Sequence, residues 1–97
     1  MIATIEQIRD IINGKWLIEF PAQKELKFEN NKFHSEYFKS MDNFAYEIAE
    51  DKFDSTIWIK INGSKTFLVC AIERDYILLK KHNNGFLILV KDNRSTP

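Results

Sequence analysis

Two hydrophobic periods divide this chain. Between residues 4 and 13 isoleucine recurs at helical spacing, with Ile5, Ile8, Ile11 and Ile12 on one stripe and Glu6, Arg9 and Asp10 off it. Thr4-Ile5-Glu6-Gln7 fits a capping box, in which Thr4 caps the helix and Gln7 reaches back. Asn13-Gly14 supplies the stop. A helix of about nine residues is not stable alone, so its apolar stripe must be buried on something else.

From Lys15 onward the period becomes two. Trp16, Ile18 and Phe20 alternate with Lys15, Leu17 and Glu19, and Leu26 and Phe28 share a face within 23–29. Asn30-Asn31 reads as a tight turn, and 32–38 then places Phe33, Ser35 and Tyr37 on one side. After a polar loop at 39–43, Phe44, Tyr46 and Ile48 face inward, and Glu50-Asp51-Lys52 turns the chain. The stretch 53–61 puts Phe53, Ile57, Ile59 and Ile61 on the inner side and Thr56, Trp58 and Lys60 outside. Asn62-Gly63 is the strongest hairpin signal. Strands at 65–72, 76–81 and 86–91 follow, separated by Glu73-Arg74-Asp75 and by His82-Asn83-Asn84-Gly85.

Turn signals roughly every 8–12 residues indicate an all-β sandwich or barrel. Every connection is hairpin-length, so sequence neighbours pair antiparallel, and closure of the first strand on the last removes two exposed edges. The expected fold is all-β, an eight-stranded up-and-down antiparallel barrel with a short N-terminal α-helix. It forms one domain over 1–97, with the helix at about 4–13, strands at about 15–91 and a polar tail at 92–97. The last three strands are apolar on both faces: Phe67, Val69 and Ala71 alternate with Leu68, Cys70 and Ile72, and similar pairs recur at 76–79 and 86–90. The barrel interior covers one set. The outer set, with Trp58, makes a patch larger than soluble monomers usually expose, and a homodimer through strands six to eight is expected to cover it.

Composition narrows the function classes. Ninety-seven residues at 44% apolar and 29% charged make a globular chain. Fourteen basic residues balance fourteen acidic ones without forming blocks, so neither a nucleic-acid partner nor an anionic membrane surface is expected. The single cysteine, Cys70, allows no internal disulfide, and residues 1–7 carry no basic-then-apolar leader, from which a cytoplasmic protein is expected. No apolar run approaches the ~20 residues that a spanning helix needs.

The order of elements and three local motifs resemble the calycin superfamily, specifically small bacterial lipocalin-like domains. In that family a short helix precedes a Gly-x-Trp at the start of the first strand; here it is Gly14-Lys15-Trp16. An acidic-aromatic pair in the turn between strands six and seven is matched by Arg74-Asp75-Tyr76. A basic side chain after the last strand packs across the tryptophan ring in that family; Arg94 fits by position, with Lys91 as the second choice. The resemblance covers nearly the whole chain and implies a lipocalin-like barrel. Secreted lipocalins are longer, with a signal peptide, a disulfide and a terminal helix, so their transport role is not carried over.

Trp16, Phe28, Phe33, Tyr37, Tyr46 and Phe67 face inward and are the candidate ligand-binding residues for a small hydrophobic molecule. An eight-stranded barrel is just wide enough either to be filled by side chains or to hold one small ligand, so a plain core remains the competing reading. Tyr37 and Tyr46 tilt toward a pocket, because a buried hydroxyl needs a partner. His34 and His82 lack a second ligand at metal spacing, and no cofactor is expected. Cys70 reads as an inert buried thiol, and Glu47, Glu50, Asp51 and Asp54 as a solvated rim. No acid, base or nucleophile set is recognisable, so the expected function is non-enzymatic binding of a small hydrophobic ligand. The alternative is an intracellular protein-interaction module, such as an inhibitor or immunity protein, that meets a protein partner through its barrel exterior.

Overall fold

The computed structural model describes residues 4–20, 23–82 and 85–92. Helix α1 (Ile5–Ile12) leads into β1 (Gly14–Phe20), β2 (Lys24–Glu29), β3 (Lys32–Ser35), β4 (Phe44–Asp51), β5 (Thr56–Ile61), β6 (Ser64–Glu73), β7 (Tyr76–Lys81) and β8 (Phe86–Lys91). Each strand pairs antiparallel with the next, and β1 pairs with β8, so the eight strands close the up-and-down barrel that the alternation predicts.

Local chemistry sets the ends of these elements. The Thr4 hydroxyl accepts from the Gln7 backbone N–H at 3.1 Å, and the Gln7 side chain accepts from the Thr4 backbone N–H at 2.9 Å, which completes the capping box. Asn30 and Asn31 lie at φ 55° and 60°, and Asn62 and Gly63 at 54° and 83°. These are the left-handed conformations that two-residue hairpins matching the strand twist require.

Both ends of the barrel are plugged. At one end Ile8 and Ile12 of α1 enter the same buried cluster as the strand interior. At the other, the segment joining β3 to β4 folds inward. Residues 36–43 hold a turn of 3-10 helix at Lys39–Met41, and Tyr37, Phe38 and Met41 pack on the core. The alternation had extended the third strand through Phe38. It stops at Ser35 because side chains there take over the backbone: Asp42 accepts from the Ser35 N–H at 2.9 Å, and the Ser35 hydroxyl accepts from the Phe38 N–H at 2.8 Å.

Three inward assignments fail for stated reasons. Register shifts between Ile18 and Phe20, and the extra residue turns Phe20 outward, where it is 52% exposed. A second shift between Val69 and Ala71 leaves Cys70 as the added residue. Ile72 then takes the inner face in place of Ala71, and Cys70 is exposed rather than buried. Phe53 is 99% exposed in the turn before β5, where the Asp51 carboxylate accepts from its backbone N–H at 2.9 Å. Phe44 shares the inner parity of β4 but sits at the rim, partly exposed.

The three sequence motifs meet where α1 enters the barrel. Trp16 is fully buried, and its indole N–H donates to the Ile12 carbonyl at 2.8 Å. Lys91 extends across the indole, its Nζ 4.6 Å from the ring centroid, and donates to the Asn13 carbonyl at 3.1 Å. Its backbone N–H donates to the Asp75 carbonyl at 3.0 Å. Lys91, the second choice from sequence, thus supplies a cation over the tryptophan, while Arg94 lies outside the described residues. Gly14 has φ +120°, and a Cβ there would stand 3.1 Å from the Lys91 Nζ.

Lys91→Ala is expected to lower the urea midpoint by a loss of about 1–2 kcal/mol, one cation–π contact plus one charge-assisted hydrogen bond. Gly14→Ala costs at least ~1 kcal/mol in backbone strain and also displaces the lysine. The double variant is expected to lose at least ~0.5 kcal/mol less than the two single losses combined, because the same contact is broken twice. Additive losses in urea denaturation would show that Gly14 acts through backbone strain alone.

Candidate functional site

Five of the six aromatic candidates come together, directly or through Phe38, and they pack on one another rather than around an open interior. Trp16, Phe28, Phe33 and Phe67 are fully buried, and Tyr46 nearly so. Phe28 meets Phe33 at 5.3 Å between ring centroids and Tyr46 at 4.9 Å in an edge contact. Phe33 meets Phe67 at 6.0 Å. Tyr37 lies on the inward-folded segment rather than on a strand, half-buried, with its ring edge-on to Phe38 at 4.7 Å. Phe38 lies 5.3 Å from Phe67 and 6.3 Å from Phe33, so it closes the cluster from above. The alternation assigned Phe38 no inward role, since the strand parity that would have revealed it ends at Ser35. Trp16 stands apart, under Lys91.

Tyr46 also borders a small polar cleft of about 280 Å³ beside Arg9 and Asn31. Burial raises its pKa above the ordinary phenol value, opposed by the positive charge of Arg9.

A larger opening lies in the wall. The β5–β6 ladder ends at the Trp58–Leu68 pair, yet β6 continues to Glu73, held there by β7 alone. The unpaired stretches of β5 and β6 border a cleft of about 730 Å³. Ile5 and Ile8 of α1 form its floor, and Ile57 of β5 with Val69 and Ile72 of β6 line it from the inner face. Because β6 contributes the consecutive residues 68–72, both its side chains and its backbone edge face this space. Cys70, the added residue of the bulge, sits in the lining and is exposed.

The rim chemistry is sparse. Glu50 is the only charged side chain among the described residues lining the cleft. Nearby, Asp51 bonds the Lys65 ammonium at 2.6 Å, and that hydrogen bond, helped by the Phe53 N–H, holds its carboxyl below the usual carboxylate range. Asp54 accepts from the Thr56 N–H at 3.1 Å and the Thr56 hydroxyl at 2.6 Å.

A second groove, of about 650 Å³ and bordered by Lys15, Lys24, Lys27 and Lys39 together with Glu25, Glu36 and Asp42, is polar and open. His34 lies on it, with its Nδ1 4.0 Å from Asp42. Among the described residues no three His, Cys, Asp or Glu side chains stand close enough to hold a metal ion, and no helix there is long and apolar enough to cross a membrane.

Ser35 is the polar residue buried within this otherwise apolar interior, and its hydroxyl ties the inward-folded segment to β3. Ser35→Ala is expected to cost about 1–2 kcal/mol and to speed amide hydrogen exchange across 36–43 more than elsewhere. Uniform exchange at all sites would show that the segment opens only with the whole barrel. No family model, curated protein or solved structure matches the chain.

Proposed function

We propose that this protein is a non-enzymatic binding barrel that takes a small apolar molecule in the cleft between α1, β5 and β6. One observation carries the reading: the barrel wall is unpaired past Trp58–Leu68, and the gap has an apolar floor of Ile5 and Ile8. Its volume of about 730 Å³ falls within the ~300–1,000 Å³ range of ligand pockets. The six aromatic candidates act in this reading as a rigid backing for the cleft. Phe67, two residues before Val69 on the inner face of β6, joins their cluster to the cleft wall.

Burial of an apolar body gains ~0.8 kcal/mol per methylene, while association costs at least ~4 kcal/mol, so a ligand burying about twelve carbons is expected to have a dissociation constant on the order of 100 µM and one burying about eight a constant on the order of 10 mM. The neutral fluorophore N-phenyl-1-naphthylamine is expected to bind one per chain and to slow the reaction of Cys70 with Ellman's reagent, because the thiol lines the same cleft. Ala71→Trp places an indole in the opening at an exposed position and is expected to weaken binding at least ~10-fold with the circular dichroism spectrum unchanged. Unaltered Cys70 reactivity under saturating probe, or full binding by Ala71→Trp, would overturn the reading.

A second reading rests on the outer face. Leu17 pairs with Val90, Phe20 with Ile88 and Ile88 with Leu78, which makes an outward apolar band across β1, β8 and β7. We propose that a second copy of the chain covers this band. The formal net charge is zero, so two copies meet without net repulsion. Sedimentation velocity is expected to give a dimer that Ile88→Lys converts to monomer; a wild-type monomer at ~100 µM would remove this reading, since a stable interface of this kind holds well below that concentration. Kinship with lipocalin-like domains belongs with these proposals and is supported by the closed barrel, the preceding helix and the cation over Trp16.

A further inference from the structure

We infer that the cleft selects, among apolar ligands, those bearing a positive charge, with Glu50 as the group that reads it. The inference rests on the binding reading above and adds the ligand's polar end to it. Glu50 is the last inward-parity residue of β4, paired with Ile57, and it borders the mouth of a cleft otherwise lined by uncharged side chains. Among the described residues no cation stands within ion-pair distance of it, and its carboxylate is exposed. The neighbouring carboxylates are already engaged, Asp51 by Lys65 and Asp54 by Thr56.

The opposite preference has one structural source. The N-terminus of α1 opens on the same cleft through Thr4 and Ile5, and helix N-termini favour anions. Here the capping box already occupies the backbone N–H groups of Thr4 and Gln7. The acidic Glu6 in the first turn of α1 offsets what remains of that preference, and Glu50 is the one formally charged residue among the described residues lining the cleft. An alkyl body on Ile5, Ile8 and Ile57 would bring a terminal ammonium to Glu50, while a fatty carboxylate in the same pose would meet a like charge.

The test uses the full chain and three ligands sharing one eight-carbon body: 1-octanol, octylammonium and octanoate, each displacing N-phenyl-1-naphthylamine at low salt. Octylammonium is expected to bind about fivefold more tightly than 1-octanol and octanoate more weakly, the scale of one exposed ion pair. In Glu50→Gln the ratio of octylammonium to 1-octanol is expected to fall toward one, and in Glu50→Lys octanoate is expected to become the preferred ligand. Equal affinities of the wild-type protein for octylammonium and 1-octanol, or a ratio unmoved in Glu50→Gln, would overturn the selectivity while leaving the apolar site standing. Failure of N-phenyl-1-naphthylamine itself to bind the wild-type chain would instead count against the site.

Discussion

The indole of Trp16 is the point on which the barrel closes. The helix just before it and the strand farthest from it in sequence converge on it. Its N–H takes the Ile12 carbonyl, one of the groups that a helix end leaves without a partner. Its face takes the Lys91 ammonium from the last strand, and that ammonium in turn takes the Asn13 carbonyl. The negative end of the α1 dipole is thereby neutralised by a donor and a cation that also hold β1 against β8. The same contacts serve closure of the sheet and docking of the helix, and a helix of only eight residues, which would not persist alone, is held in place.

That lock decides what the rest of the barrel can be. With α1 fixed across one end, Ile8 and Ile12 occupy the axis, and with 36–43 folded over the other, Phe38 does the same. Between them the rings of Phe28, Phe33, Tyr46 and Phe67 meet at centroid distances of 4.9 to 6.0 Å. At these distances aromatic pairs gain their edge and offset contacts, so the filled state is itself favourable and an axial ligand would have to displace it. The proposed binding reading therefore turns to the wall rather than the axis.

Alternation and turn chemistry carried most of the architecture. Asn30-Asn31 and Asn62-Gly63 declared their turns because few other residues tolerate positive φ, and the Trp16, Ile18, Leu26 and Phe28 positions followed the pleat faithfully. Period-two reading fails wherever one residue is added to a strand. Nothing in Ile18-Glu19-Phe20 or Val69-Cys70-Ala71 marks a bulge, because the side chains on either side of it are equally apolar. The same blindness hid the cleft. Ile72 and Ala71 exchange faces across the Cys70 bulge, and the end of the β5–β6 ladder depends on where two strands diverge in space, which no local window records.

The bulge and the gap have a common origin in closure. A closed sheet must bend, and an added residue in one strand sharpens the bend locally and raises the twist. On β6 there are register shifts toward both neighbours, against β5 near Ile59–Lys60 and against β7 near Val69–Ala71. The second follows directly after the last β5–β6 pair, so β6 leaves β5 at the point where it gains its added residue and follows β7 instead. Helix α1 cannot fill the space left, because its capping box ends it at Thr4 while its stripe is committed to the axis through Ile8 and Ile12. The barrel is therefore tight along its axis and incomplete in its wall, and the incompleteness falls where the apolar floor, the exposed Cys70 and Glu50 come together.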